Sequence, residues 1–125
     1  MAGPKKRILV VDDNEDLRTT IQALLQADGF DVSVAADGEA ALSQHRSRPA
    51  DVVITDLFMP DKDGIETIIE LKKLYPKIKI VAMSGWTSTQ GSDYLQVARE
   101  IGAAVTLQKP FDPLELSRVV RDLAT

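Results

Sequence analysis

The chain contains no cysteine among its 125 residues and a single histidine. The lack of cysteine excludes disulfides, thiolate metal sites and cysteine nucleophiles, which is typical of a reducing compartment and predicts the cytoplasm. The chain also lacks an excess of positive charge, since 15 basic residues face 19 acidic ones, and we expect no direct nucleic-acid partner. No apolar run approaches the roughly 18 residues of a membrane-spanning helix, so we expect no membrane association.

Size and composition predict one domain. At 125 residues and 44% hydrophobic content, the chain is long enough for a single core and too short for two ordinary domains. There is no internal repeat, low-complexity tract or linker. We expect a domain over residues 7–125, preceded by a short N-terminal tail of residues 1–6.

Short apolar runs alternate five times with segments whose apolar residues follow a helical period. This alternation predicts an α/β fold with a doubly wound, five-stranded parallel sheet. The predicted strands are residues 7–11, 31–35, 51–55, 78–83 and 103–107. The predicted helices are residues 38–47, 64–74, 92–101 and 113–123, with a first helix that runs from an Asn14 cap to Gly29.

Charged side chains follow three of these strands. Asp56 ends an apolar run and should stand at the carboxyl end of a central strand, where open α/β sheets bind their ligands. Asp12 and Asp13 follow the first strand, and Lys109 follows the last. Asp12 and Asp13 alone would indicate a turn and a helix cap. Together with Asp56 and Lys109 they favour a functional site at one edge of the sheet.

Three carboxylates at one edge repel one another. Two unit charges about 4 Å apart cost about 4 kcal/mol at an effective dielectric constant near 20. A hard divalent cation with oxygen ligands would offset this repulsion, and a partly hydrated carboxylate site suits Mg²⁺. The acidic residues therefore predict a magnesium site.

Four motifs occur in register with the predicted strands. They are LVVDDN at residues 9–14, ITDLFMPDKDG at residues 54–64, VAMSG at residues 81–85 and LQKPF at residues 107–111. With these motifs the chain, from Arg7 onward, resembles the receiver domain of two-component response regulators, including chemotaxis regulators. The resemblance implies a flavodoxin-like (βα)5 fold and a role as a phosphoacceptor in two-component or phosphorelay signalling.

The resemblance implies roles for the acidic residues. Asp56 matches the aspartate that becomes 4-aspartylphosphate, with a phosphohistidine of a sensor histidine kinase or histidine phosphotransfer protein as the donor. Asp13, Asp56 and the backbone carbonyl of Phe58 match the direct ligands of Mg²⁺. Asp12 matches an acidic residue that acts on the metal mainly through water.

The resemblance also implies how the phosphoryl group is held and reported. Ser84 and Lys109 match the hydroxyl and ammonium that contact the phosphoryl oxygens, and the bond between Lys109 and Pro110 is expected to be cis, as in the family. Phosphorylation is expected to change the binding of a downstream effector on the face of the fourth helix, fifth strand and fifth helix. The protein would catalyse its own phosphorylation and dephosphorylation without being a turnover enzyme.

The sequence departs from the family pattern near the predicted site. Thr106 occupies a position where many receivers have an aromatic residue that moves on activation. The large residues Phe58 and Trp86 match the two positions that flank the phosphoryl site in this family, and we hypothesise that they slow hydrolysis by water. The segment over residues 85–91 is predicted to be a long, mobile loop. His45, Lys72 and Lys73 are expected on solvated helix faces.

Other functions remain open at the level of sequence. A phosphatase of the haloacid dehalogenase type also uses a strand-end aspartate, but it has a second acidic residue where this chain has Phe58. A flavodoxin-like flavin module is disfavoured because the acidic segment after the first strand would repel a phosphate. The chain could also be a receiver excised from a hybrid histidine kinase or larger regulator, or a receiver that serves only as a scaffold.

Overall fold

The computed structural model describes residues 5–57, 64–84 and 89–125, with residues 89–94 described by their backbone alone. Strands and helices alternate along the chain as the sequence predicts. The strands are β1 (Arg7–Val11), β2 (Asp31–Ala35), β3 (Val52–Asp56), β4 (Lys79–Ser84) and β5 (Val105–Gln108). The helices are α1 (Glu15–Ala27), α2 (Gly38–Ser47), α3 (Gly64–Leu74), α4 (Thr89–Glu100) and α5 (Pro113–Ala124).

The five strands form one parallel sheet in the order β2-β1-β3-β4-β5. The chain moves outward from β1 to β2 and then crosses back to β3 on the other side of β1. This reversal creates a crevice beyond the carboxyl ends of β1 and β3, the usual ligand position in open α/β sheets. The predicted doubly wound parallel sheet is confirmed.

Both faces of the sheet are covered, which explains why the strands are continuous apolar runs rather than alternating ones. On β1, Ile8 and Val10 pack against α1 and α5, whereas Leu9 and Val11 belong to the core beneath α2, α3 and α4. Because both sets are buried, β1 is held from two sides. The residue that follows it, Asp12, is therefore carried by a rigid element.

The helix ends follow the capping residues in the sequence. The Asn14 side chain accepts a hydrogen bond from the backbone N–H of Leu17 at the start of α1. Gly29 and Gly102 adopt positive φ angles of 97° and 122° just after α1 and α4. Glycine is favoured there because other residues adopt this conformation at a cost.

Strands β3 and β4 each end one residue later than predicted, so that Asp56 and Ser84 are their last residues.

Helix α4 starts at Thr89, three residues before the predicted start, and the expected loop over residues 85–91 is shorter at that end. Glycine and β-branched residues disfavour helices. Here the packing of α4, with Leu95 and Ala98 buried in the core, prevails over that preference. Residues 85–88 lie outside the described part of the chain.

The expectation that His45 is solvated was wrong. Its side chain is buried, its Nδ1 accepts a hydrogen bond from the backbone N–H of Ala50 at 3.0 Å, and its ring meets Tyr75 in a T-shaped contact with centroids 4.4 Å apart. His45 follows buried Ala41 by four residues, which places both on the same face of α2. Burial lowers the pKa of the imidazole below its ordinary value.

Lys72 also differs from the expectation of a solvated side chain. Its ammonium donates hydrogen bonds to the backbone carbonyls of Pro76 at 3.0 Å and Ile78 at 3.1 Å. The neighbouring Lys73 is exposed, as expected. Lys72 therefore joins the end of α3 to the segment that leads into β4.

Candidate functional site

Three carboxylates meet at the carboxyl edge of the sheet. Asp12 and Asp13 directly follow β1, and Asp56 ends the adjacent strand β3. One oxygen from each lies within 4.8 Å of the others. Asp12 and Asp56 are buried and Asp13 is exposed. The convergence predicted from the strand ends is thus observed.

Lys109 brings a positive charge to these carboxylates. Its ammonium lies 2.7 Å from Asp12 Oδ2 and 3.5 Å from Asp56 Oδ2. Its backbone N–H donates to the carbonyl of Ser84 at 2.7 Å, which ties the residue after β5 to the end of β4. The peptide bond between Lys109 and Pro110 is cis, as expected.

Among the described residues, the single ammonium of Lys109 lies beside a cluster of three carboxylates. The atoms that could bind a cation are all oxygen atoms, two from buried carboxylates and one from an exposed carboxylate. This set fits a small, hard cation that is held by few protein ligands and keeps part of its water shell. The acidic cluster can therefore hold a metal ion of the Mg²⁺ type.

Asp56 is fixed by the packing of its strand and by Gly64 at the start of α3. The backbone N–H of Leu57 donates to Met83 in β4, and that of Gly64 donates to the carbonyl of Leu57. A Cβ atom at position 64 would meet the carbonyl oxygen of Asp56 and lie 2.6 Å from the Cα of Leu57. Glycine is therefore required for α3 to approach the end of β3 so closely.

The other predicted site residues have different outcomes. Ser84 is fully buried at the end of β4, at the same edge of the sheet as the carboxylates. Thr106 lies on β5 opposite Ala82 and is half-buried. Phe58, predicted to bind metal through its carbonyl, and Trp86 lie outside the described residues.

One residue at the site was not predicted from the sequence. The Arg18 guanidinium donates a hydrogen bond to the backbone carbonyl of Asp12 at 2.8 Å. The signal was its spacing, because Arg18 precedes the buried Ile21 and Leu25 by three and seven residues and so lies on the apolar side of α1. A basic residue on that side, one turn after an acidic loop, indicates a contact with the loop.

Sequence comparison relates the chain to known proteins. A family model described as the response regulator receiver domain matches residues 8–121. The chain is 39% identical over 119 residues to the transcriptional regulatory protein ZraR of Klebsiella oxytoca, a match that covers 94% of this chain and 26% of that protein. It is 33% identical to the alkaline phosphatase synthesis transcriptional regulatory protein PhoP of Bacillus subtilis, covering 93% of this chain and 47% of that protein. The chain thus spans between about a quarter and a half of these two relatives.

Structural comparison gives the same relationship. The chemotaxis protein CheY4 of Vibrio cholerae superposes with a TM-score of 0.86 at 30% identity, covering 96% of this chain and 99% of that one. The receiver domain of NtrX from Brucella abortus superposes with a TM-score of 0.87 at 28% identity, covering 94% and 97%. In the described part of the chain, no helix is long and apolar enough to cross a membrane.

Proposed function

The chain belongs to the response regulator receiver family, and from this premise we propose that Asp56 accepts a phosphoryl group from a phosphohistidine. The donor is a sensor histidine kinase or a histidine phosphotransfer protein. One observation carries the proposal: the Asp56 carboxylate lies 3.5 Å from the Lys109 ammonium, within an acidic cluster that can hold a cation. This combination suits a reaction in which negative charge must be held in place.

In the proposed reaction a carboxylate oxygen of Asp56 attacks the phosphorus atom. The new O–P bond forms as the P–N bond to the imidazole breaks, and the imidazole nitrogen leaves with the electron pair and takes a proton from solvent. The product is an acyl phosphate. Catalysis here consists mainly of positioning and charge stabilisation, so a rigid strand end is a suitable place for the nucleophile.

The other residues of the site support this step. Asp13, Asp56 and the backbone carbonyl of Phe58 would hold Mg²⁺, with Asp12 acting through water. When bound, the ion supplies positive charge to the phosphoryl oxygens. Lys109 supplies a second positive charge after moving away from Asp12. Ser84, at the end of β4, is proposed to donate its hydroxyl to another phosphoryl oxygen.

Intact mass spectrometry tests the proposal directly. After incubation with MgCl₂ and acetyl phosphate, the protein should gain the mass of one phosphoryl group. Asp56→Asn should abolish this gain. Asp51→Asn is the matched control, because Asp51 is exposed and immediately precedes the same strand at its opposite end. No mass gain in the parent protein, or a gain that persists in Asp56→Asn, would overturn the proposal.

We further propose that the protein is a switch and not a turnover enzyme. Purified protein should therefore release no more phosphate from a phosphate ester than its buffer does. Sustained hydrolysis that depends on Asp56 would favour the phosphatase alternative instead.

The phosphorylated state is proposed to be reported on the face formed by α4, β5 and α5. A cleft of about 450 Å³ lies beside Lys109 on this side and is lined by Thr106, Gln108 and Glu115, among other residues. Because Lys109 lines this cleft, its movement toward a phosphoryl group would change the shape of the cleft. Hydrogen exchange should therefore change at the amides of β5 on phosphorylation, and unchanged exchange there would contradict this reporting face.

The site could serve either a receiver module of a larger protein or a stand-alone receiver. The curated relatives are transcriptional regulators of which the chain spans about a quarter to a half, which favours a receiver module in a larger cytoplasmic regulator. The near-complete superposition with CheY4 favours a stand-alone regulator. An immunoblot of the source cells distinguishes them, since only the second arrangement gives a band of the size of a 125-residue chain.

A further inference from the structure

Asp12 is held at each of its four polar atoms. Its backbone N–H donates to the carbonyl of Ala35 at 3.1 Å, and its carbonyl accepts from Arg18 at 2.8 Å. Its carboxylate accepts from the backbone N–H of Asn14 at 2.9 Å and from Lys109 at 2.7 Å. Within the described residues, the neighbouring Asp13 carboxylate has no hydrogen bond or ion pair. Because Asp13 directly follows Asp12, the groups that hold the backbone of Asp12 also help to position Asp13.

Arg18 is the side chain of α1 that reaches this backbone. Its own N–H donates to the carbonyl of Asn14, which fixes Arg18 on the first turn of the helix. Side chains of an α-helix point back toward its N-terminus, so the guanidinium extends over that turn to the Asp12 carbonyl. The arginine is half-buried. It thus joins the helix to the acidic loop.

We propose that Arg18 is a positioning residue for the acidic site and raises its affinity for Mg²⁺ by holding the backbone of Asp12. This inference rests on the proposed function for its biological meaning, since the positioned carboxylates serve phosphoryl transfer there. Groups that orient metal ligands without touching the metal commonly affect metal affinity. Arg18 would do so through the main chain, which carries both Asp12 and Asp13.

Positioning and plain electrostatics predict opposite results when Arg18 loses its charge. A guanidinium near a cation site repels the cation, so its removal should strengthen Mg²⁺ binding if charge alone matters. If Arg18 positions the loop, its removal should weaken binding despite the loss of repulsion. The sign of the change in the Mg²⁺ dissociation constant therefore separates the two roles.

The experiment is calorimetric titration of the full chain with MgCl₂. Arg18→Met keeps an apolar stem but no donor, and it should raise the dissociation constant about three- to tenfold. Arg18→Lys keeps a donor on a long stem and should stay within about threefold of the parent protein. Arg46→Met, at an exposed position in the last turn of α2, removes the same charge elsewhere and should leave the constant unchanged.

Three results would overturn the inference: equal or tighter Mg²⁺ binding by Arg18→Met, weaker binding of the same size in Arg46→Met, or no Mg²⁺ binding by the parent protein. Circular dichroism of each variant verifies folding. If Arg18→Met unfolds, Arg18→Ala carries the test, because it also lacks the charge and the donor and should likewise weaken Mg²⁺ binding. The outcome is independent of phosphorylation. If the parent binds Mg²⁺ but Asp56 gains no phosphoryl group, the proposed function fails and the role of Arg18 stands.

Discussion

The ammonium of Lys109 lies 2.7 Å from a carboxylate oxygen of Asp12, 97 positions earlier in the chain. The Asp12 side chain is 1% exposed and that of Lys109 is 20% exposed, so the pair is largely removed from water. A buried ion pair adds little net stability, but deletion of one partner leaves the other charge uncompensated. The stability of the domain should therefore respond to single charge changes at this site.

Replacement of Lys109 by methionine should destabilise the protein in the absence of divalent cations. The free energy of unfolding should fall by about 2–3 kcal/mol, because Asp12 loses a charged hydrogen-bond partner while it stays buried. Urea unfolding in EDTA measures the change. Lys73→Met removes an exposed lysine and serves as the control. An equal loss in both variants would contradict the special role of the Lys109 contact.

Replacement of Asp13 by asparagine should have the opposite effect. It removes one of three carboxylates whose oxygens lie within 4.8 Å of one another, and it needs no new hydrogen bond. Since Asp13 is exposed, solvent screening limits the gain in unfolding free energy to roughly 1 kcal/mol. The gain should shrink in 1 M NaCl. A loss of stability in EDTA would show that repulsion does not dominate at this position.

The sequence predicted the fold well because the sheet is buried on both faces. Each strand was a short apolar run, and the parallel arrangement followed from its alternation with helical segments. The predicted start of helix α4 was too late because its first turn contains Thr89 and Gly91, residue types that disfavour helices. The packing of the helix against the core outweighs their preference. The burial of His45 was missed because a single polar residue does not itself indicate which face of a helix it occupies. Its spacing of four residues from the buried Ala41 would have placed it on the buried face of α2.

The acidic cluster was predictable because the carboxyl ends of parallel strands share one edge of a sheet. Asp12, Asp13, Asp56 and Lys109 each lie at or just after a strand end. The individual contacts were not predictable. Whether Lys109 lies closer to Asp12 or to Asp56, and whether Arg18 reaches back to the loop, depends on side-chain distances that only tertiary packing sets.

Replacement of Gly64 by alanine should damage both stability and phosphorylation. The added methyl would lie 2.6 Å from the Cα of Leu57 and 2.9 Å from the carbonyl carbon of Asp56, and backbone cannot yield as a side chain can. We expect a loss of about 3 kcal/mol in unfolding free energy. The rate of phosphorylation by acetyl phosphate should fall about tenfold or more, because Asp56 is displaced.

Gly29→Ala is the matched control for Gly64→Ala. A Cβ atom at Gly29 meets nothing within 4 Å, but the φ angle of 97° is strained for alanine, which costs about 1 kcal/mol. This variant should lose stability and keep its phosphorylation rate. If Gly64→Ala also kept the parent rate, the close approach of α3 would not matter to the nucleophile.

Replacement of Lys72 by methionine should show that this lysine is structural. The variant loses the hydrogen bonds to the carbonyls of Pro76 and Ile78. It keeps an apolar side chain that can still pack against Gly102, which lies so close that a Cβ atom added there would be 2.8 Å from Lys72 Cε. The free energy of unfolding should fall by about 1–2 kcal/mol. Lys73→Met, one position later and exposed, should change it by less than about 0.5 kcal/mol. Equal effects in urea unfolding would contradict the assignment.

His45 should make the stability of the domain depend on pH. Its Nδ1 accepts a hydrogen bond from Ala50, which requires that nitrogen to be unprotonated, and burial lowers the pKa of the folded imidazole. The unfolded chain therefore binds a proton first as the pH falls below about 6.5. Stability from neutral His45 is complete above that pH and is lost as the pH falls toward the folded pKa.

His45→Asn tests this dependence, because the asparagine side chain offers an oxygen to the Ala50 N–H but does not titrate. The unfolding free energy of the parent should fall more steeply than that of the variant between pH 7.5 and about 5.5. Asp51, Tyr75 and Lys77 line the same cavity as His45 and are present in both proteins, so the difference between the two curves isolates the imidazole. Parallel curves would mean that protonation of His45 costs the folded state nothing, and that its hydrogen bond to Ala50 is dispensable.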